Sequence, residues 1–135
     1  MSSSALQRAF ALLSTLLLAS FICFYKLDSH PFKPSDESLH VKATQHMFHS
    51  GDLWTPVVDG EPYFRKPPFK MWLSLIPVAV LGESNLSYRF IDAAAGVATA
   101  MLTCAAGYWL LGSWFAGWVA AVALLGCRYF VLYHC

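Results

Sequence analysis

The sequence predicts an all-α integral membrane protein with three transmembrane helices and a large first loop that carries interfacial helices. Three observations predict it. Of 135 residues, 57% are hydrophobic and 13% charged, against roughly 25% charged in a soluble domain. Mean hydropathy is +0.50. The apolar residues fall in blocks, and most of the charge lies between the first block and the next. The length suits one domain, 1–135. A net charge of +1 makes no case for nucleic acid, which needs a basic patch; membrane lipids are the expected surroundings.

The first block, residues 9–27, has no charge before Lys26 and approaches the ~20 residues that span a bilayer. Arg8 precedes it, as in a signal sequence, but Leu18-Ala19-Ser20 is a poor cleavage site. An uncleaved first span is expected. The loop, 28–88, is polar. Pro34-Ser35 followed by Asp36-Glu37 reads as a helix start, with acids at the positive end of the dipole, and Gly51 as its stop. Leu39, Ala43 and Met47, with Phe48 beside them, give a narrow apolar stripe. Such a helix would lie along the interface with Lys42, Gln45 and His49 toward water.

Residues 54–64 alternate loosely around the tight-turn dipeptide Asp59-Gly60. Pro56 and Pro62 argue against a regular hairpin, so an ordered, irregular loop is expected, ending at Pro67-Pro68. Residues 69–81 are apolar, too short to span and contain Pro77; they predict a short helix at the membrane edge. After a turn at 82–87, two further spans are expected at about 89–111 and 114–133, joined at Gly112-Ser113. Ala93-Ala94-Ala95-Gly96 offers close packing to a partner helix.

Three spans put the termini on opposite sides. Lys33, Lys42, Arg65, Lys66 and Lys70 lie in the first loop, against Arg8 alone before the first span. The positive-inside bias by itself puts that loop in the cytoplasm; cations that bind a ligand break the bias, and orientation stays open on this ground. Cys23, Cys104, Cys127 and Cys135 sit in apolar stretches without a C-x-x-C pair or a disulfide framework. They read as small hydrophobes and fix no redox compartment.

Asp36 and Glu37 have two readings: dipole complement at a helix start, or a general base for an acceptor hydroxyl at the membrane face. Desolvation beside lipid raises a carboxylate's proton affinity unless nearby lysines oppose it. Adjacent acids point in different directions on a helix, so one of them would do the chemistry. Arg65, Lys66 and Lys70 are either cations for lipid headgroups or, at Lys66, a compact charge for a phosphate leaving group. His46 and His49, three apart and on the same predicted helix as His40, have the spacing to share a metal. They lack further ligands and an H-E-x-x-H pattern, and read as interfacial polar groups. Arg89 and Asp92 suit a salt bridge at a helix end, or a ligand contact. Arg128 is expected to snorkel.

The order Asp36-Glu37, Gly51-Asp52, Gly60-Glu61-Pro62-Tyr63-Phe64-x-Lys66-Pro67-Pro68, Trp72-Leu73, Gly82 and Arg89-Phe90 resembles the amino-terminal region of GT-C type membrane glycosyltransferases. The likeness is to dolichyl-phosphate-mannose protein mannosyltransferases and bacterial aminoarabinose transferases acting on lipid A. The resemblance implies sugar transfer, with inversion, from a polyprenyl-phosphate-linked donor to an acceptor at the outer face of a bacterial inner membrane, the first loop being periplasmic. It implies Asp36 as base, with Glu37 beside it as the second catalytic candidate. Lys66 is the implied phosphate contact; Arg65, Tyr63 and Arg89 complete the expected substrate contacts.

Members often carry Arg and Tyr where this chain has Leu39 and His40. Some hold a divalent cation through a Glu or His where this chain has Arg65. A cation there repels a metal, so no metal ligand is carried over and no cofactor is expected; a divalent cation stays open, without support from these residues. The resemblance covers only the first part of such an enzyme, and a truncated or fragmentary chain is expected, with a carboxyl-terminal segment or partner subunit completing it. The alternative is a non-catalytic three-span protein that binds lipid phosphates or a larger membrane subunit. A transporter is disfavoured, because transporter sites lie at mid-membrane on broken helices.

Overall fold

The computed structural model describes residues 3–25, 27–28 and 36–134. The chain forms two compact units, 1–25 with 92–135, and 26–91. All of its long elements are helical, and a two-stranded hairpin is the sheet among the described residues.

The first unit contains α1 (Ser3–Phe24), most of α4 (Asn85–Leu111), α5 (Trp114–Leu125) and α6 (Arg128–His134). Helices α1 and α4 are long and apolar enough to cross a membrane; at 1.5 Å per residue they reach about 33 and 40 Å. The third expected span is interrupted. Helix α5 has 12 residues, about 18 Å against a hydrocarbon core of ~30 Å. At Gly126 the bonding tightens: Gly126 N donates to Val122 O at 2.9 Å and Cys127 N to Leu124 O at 3.0 Å, before α6 begins. Glycine is a weak helix former, and it stands at this break.

Small residues make this unit. Ala11, Cys104 and Ala121 form one buried cluster, and Ala19, Ala100 and Leu125 another. Helices α4 and α5 cross backbone to backbone: a Cβ on Gly107 would fall 2.5 Å from Gly117 Cα. Ala93 and Gly96 are buried within this chain together with Ala100 and Cys104. These two are therefore not the exposed partner surface expected of the Ala93–Gly96 run; every third or fourth residue of α4 is small because its own neighbours press there. Cys104 is a buried free thiol and Cys127 an exposed one. Cys23 is disulfide-bonded, which corrects the reading of all four cysteines as small hydrophobes. The Arg8 guanidinium sits 5.6 Å over the Trp114 ring, which stacks on Tyr108 at 4.1 Å.

The second unit contains α2 (Asp36–Ser50), the strands β1 (Val57–Val58) and β2 (Glu61–Pro62), α3 (Phe69–Leu81) and the first turns of α4. Gly51, at φ +73, ends α2 as expected. The stripe of α2 does not face an interface. Ala43 and Met47 are buried with Val58, Tyr63 and Met71, and Leu39 packs against them, whereas Phe48 is exposed. The hairpin and α3 supply the apolar cover that a lipid surface was expected to provide.

The hairpin itself corrects the expectation of an irregular loop. Val57 pairs with Pro62 and Val58 with Glu61, around Asp59 at φ 53 and Gly60 at φ 87, a type I′ turn. Flanking a two-residue turn, Val58 and Glu61 are the hydrogen-bonded pair and Val57 and Pro62 the non-bonded one. The missing N–H of Pro62 is therefore not needed. Pro56 loses one bond, while its carbonyl still accepts from Tyr63 N at 2.7 Å. Helix α4 starts four residues earlier than expected, at Asn85, because Ser84 Oγ accepts from Ser87 N at 3.1 Å and caps it.

Candidate functional site

Two ion pairs organise the start of α2. Lys66 Nζ lies 2.6 Å from Asp36 Oδ2, and Arg89 Nε donates to Glu37 Oε1 at 2.6 Å. The adjacent acids thus turn to different partners, as helix geometry requires. Their surroundings differ as well. The Asp36 side chain is 71% exposed and that of Lys66 37%; Arg89 and Glu37 are 15% and 30% exposed.

The loop core explains how Lys66 reaches Asp36 from thirty positions away. Tyr63 and Met71 are buried in one cluster with Ala43 and Met47 of α2, so the intervening stretch is pinned at both ends against that helix. Pro67 and Pro68 stiffen it, and Lys66 is carried to the first turn of α2, where Leu39 packs on the same cluster. Nearby, Asp52 Oδ1 accepts from Trp54 N at 2.9 Å and Thr55 N at 3.1 Å. Trp54 meets Trp72 edge-on at 5.6 Å, and Trp72 Nε1 donates to Leu53 O at 2.7 Å.

The Lys66 hydrogen bond and then its charge hold the Asp36 carboxyl below the ordinary carboxylate value; desolvation opposes this weakly, and His40 and Lys70 add smaller pulls downward. Of the two opposing effects expected on this acid, the lysine wins, because Asp36 is open to water and little is lost by ionising it. Backbone N–H groups of Trp54 and Thr55 lower Asp52 in the same sense.

Asp36 and Lys66 are together; Glu37 and Arg89 are together beside them. Arg65 is exposed. Tyr63 is 7% exposed and forms part of the loop core. Lys42 pairs with Asp59 at 2.7 Å. His49 Nε2 lies 2.8 Å from Glu83 Oε1, and Tyr88 Oη donates to Glu83 Oε2 at 2.8 Å. His46 instead lines an open groove with Lys42, Gln45 and Asp59. No three His, Cys, Asp or Glu side chains among the described residues converge as a metal site. Beside Lys66 the chain offers a second cation, Arg65, where a donor would be needed, so these residues do not fit a divalent ion. Sequence reasoning missed the Glu37–Arg89 and His49–Glu83 partnerships; both join residues far apart in the chain, without local periodicity to announce them.

No family model matches the chain, and no solved structure matches it. It is similar to an uncharacterized protein of Aquifex aeolicus, 32% identical over 91 residues, 67% of this chain and 18% of that protein. It is also similar to the undecaprenyl phosphate-alpha-4-amino-4-deoxy-L-arabinose arabinosyl transferase of Pseudomonas savastanoi. That match is 38% identical over 80 residues, 58% of this chain and 15% of the transferase. The transferase of the same name from Aeromonas salmonicida is 33% identical over 84 residues, 61% of this chain and 15% of the transferase. The chain thus spans less than a fifth of the length of these curated relatives.

Proposed function

We propose that this chain carries the base and the phosphate contact of a membrane glycosyltransferase that uses a polyprenyl-phosphate-linked sugar. The single observation behind the reading is the pairing of Asp36 with Lys66 at 2.6 Å, on a loop flanked by apolar helices. The relatives' names support an undecaprenyl-phosphate-linked aminoarabinose donor and lend nothing to the mannosyl branch. In the reaction, the donor phosphate takes the Lys66 ammonium and leaves Asp36 free. Asp36 accepts the acceptor's hydroxyl proton as that oxygen forms its bond to the anomeric carbon from the face opposite the phosphate. The carbon–oxygen bond to phosphate breaks, and polyprenyl phosphate departs with the electron pair, its charge met by Lys66. Inversion follows from that single displacement. Lys70 adds positive potential to the same region.

The chain is read as multi-pass, with the first loop on the extracytoplasmic side. The test is transfer from an undecaprenyl-phosphate-linked aminoarabinose donor in proteoliposomes, comparing wild type with Asp36→Ala. General-base removal costs about 10²–10⁴-fold, with membrane insertion unchanged. Retained transfer by the variant refutes the base. Binding of undecaprenyl phosphate by the wild type without transfer would assign the chain to the non-catalytic, lipid-phosphate-binding alternative.

A further inference from the structure

Resting on the reading of Asp36 as the base, we infer that Glu37 and Arg89 are a positioning pair, which fixes the first turn of α2 to the start of α4 and touches neither donor nor acceptor. Arg89 is engaged in different directions: Nε donates to Glu37 Oε1 at 2.6 Å and Nη1 to Leu27 O at 2.9 Å. The same end of α4 holds the adjoining residue, where Leu86 N donates to Asp28 Oδ1 at 3.2 Å and Asn85 Nδ2 to Asp28 O at 3.3 Å. The chain leaving the first apolar stretch and the first turn of α2 are therefore both tied to the opening turns of α4. Behind them, Val41, Val78 and Tyr88 pack α2, α3 and α4 into one buried cluster.

Successive residues on an α-helix are about 100° apart. Glu37 turned toward Arg89 leaves Asp36 on the neighbouring face, where Lys66 arrives. The planar guanidinium suits this task because it serves two acceptors at fixed angles, which a single ammonium does not reproduce. The pair is partly desolvated, and removing one member takes from the other the attraction that offsets part of its desolvation. A base that must lie within hydrogen-bond reach of its proton loses rate when its helix end moves by even an ångström.

The experiment uses the full chain in proteoliposomes, with Arg89→Ala, Arg89→Lys and Glu37→Gln. For a positioning pair, each lowers kcat at least tenfold while the donor KM stays within twofold and the acid limb of the pH profile keeps its midpoint. Millimolar ethylguanidinium restores a third or more of the loss in Arg89→Ala. A loss expressed in donor KM makes Arg89 a substrate contact and overturns the inference. Disappearance of the acid limb in Glu37→Gln makes Glu37 the base and overturns it too. If the wild type transfers nothing, the proposed function fails, and the clamp is then judged by hydrogen exchange at His40 to Ala43, whose bonds run back to the first turn of α2. At least tenfold faster exchange in Arg89→Ala than in wild type upholds the pair; equal rates overturn it.

Discussion

Replacing Gly117 by alanine is the smallest change that should separate α4 from α5. The new Cβ would lie 2.1 Å from the carbonyl oxygen of Cys104, and 3.1 Å from Cys104 C and Tyr108 N. Carbon and carbonyl oxygen normally approach to about 3.3 Å, so the helices must part by roughly an ångström. The obstacle is backbone, which has no rotamer to turn away. A gap of 0.5–1 Å forfeits a quarter to a half of the attraction at each contact, and overpacking of this kind costs about 1–3 kcal/mol. That corresponds to a fall of about 5-fold to on the order of 100-fold in the ratio of folded to unfolded protein. Gly126→Ala is the control. Its Cβ would meet Val122 O at 3.5 Å and Ala123 O at 3.6 Å, ordinary contacts, at φ −78. It should be neutral, or stabilising by about 0.4–1 kcal/mol through the unfolded chain. The assay is unfolding in mixed micelles with increasing dodecyl sulfate, followed by the fluorescence of Trp114 and Trp118 on α5. Equal midpoints for Gly117→Ala and wild type, or an equal loss in Gly126→Ala, would refute the close crossing.

Two other perturbations bear on the loop. Lys66→Gln removes the largest cause of the Asp36 shift. The folded-state value is depressed below the ordinary 3.8, so the pair's contribution is present above that value and fades as pH falls through the lower one. The variant's carboxyl midpoint should rise toward 3.8, read by carbon NMR of Asp36; an unmoved midpoint would show that Lys66 is not its partner in solution. Met71→Ala empties a site that is 0% exposed between α2 and the hairpin, at a cost of about 2–5 kcal/mol. Loss of amide protection at Tyr63 should accompany it, and unchanged protection would count against a shared loop core.

Much of this organisation was legible in single residues whose effects are local. The acids at the start of α2, Gly51 at its end and the Gly112-Ser113 turn between α4 and α5 all act within a turn of the chain. Pro56 and Pro62 speak against a hairpin only while their place on the ladder is unknown; register decides whether a missing N–H matters. In the third expected span hydropathy runs through Gly126 while the helix does not, and composition carries no sign of that break. Arg89 illustrates a harder limit. Its guanidinium bridges to Glu37 across 52 positions, and no periodic pattern links residues that meet only when three helices pack.

The contrast between the two ion pairs bears directly on which acid is free to act. An exposed pair gains little from its own Coulomb attraction, since water and salt screen it and both side chains give up freedom to hold it. Lys66 can therefore leave Asp36 for a phosphate, which offers an ammonium an equally strong charge-assisted bond. Arg89 gives up more on leaving: it would lose a partly desolvated contact with Glu37 and forfeit the Leu27 carbonyl besides. The labile pair is the one suited to substrate, and the fixed pair is the one suited to holding it in place. If the proposed function holds, a donor that draws Lys66 away would also remove the main influence depressing Asp36, and the arrival of the leaving group would make the neighbouring carboxylate a stronger base at the moment an acceptor needs one.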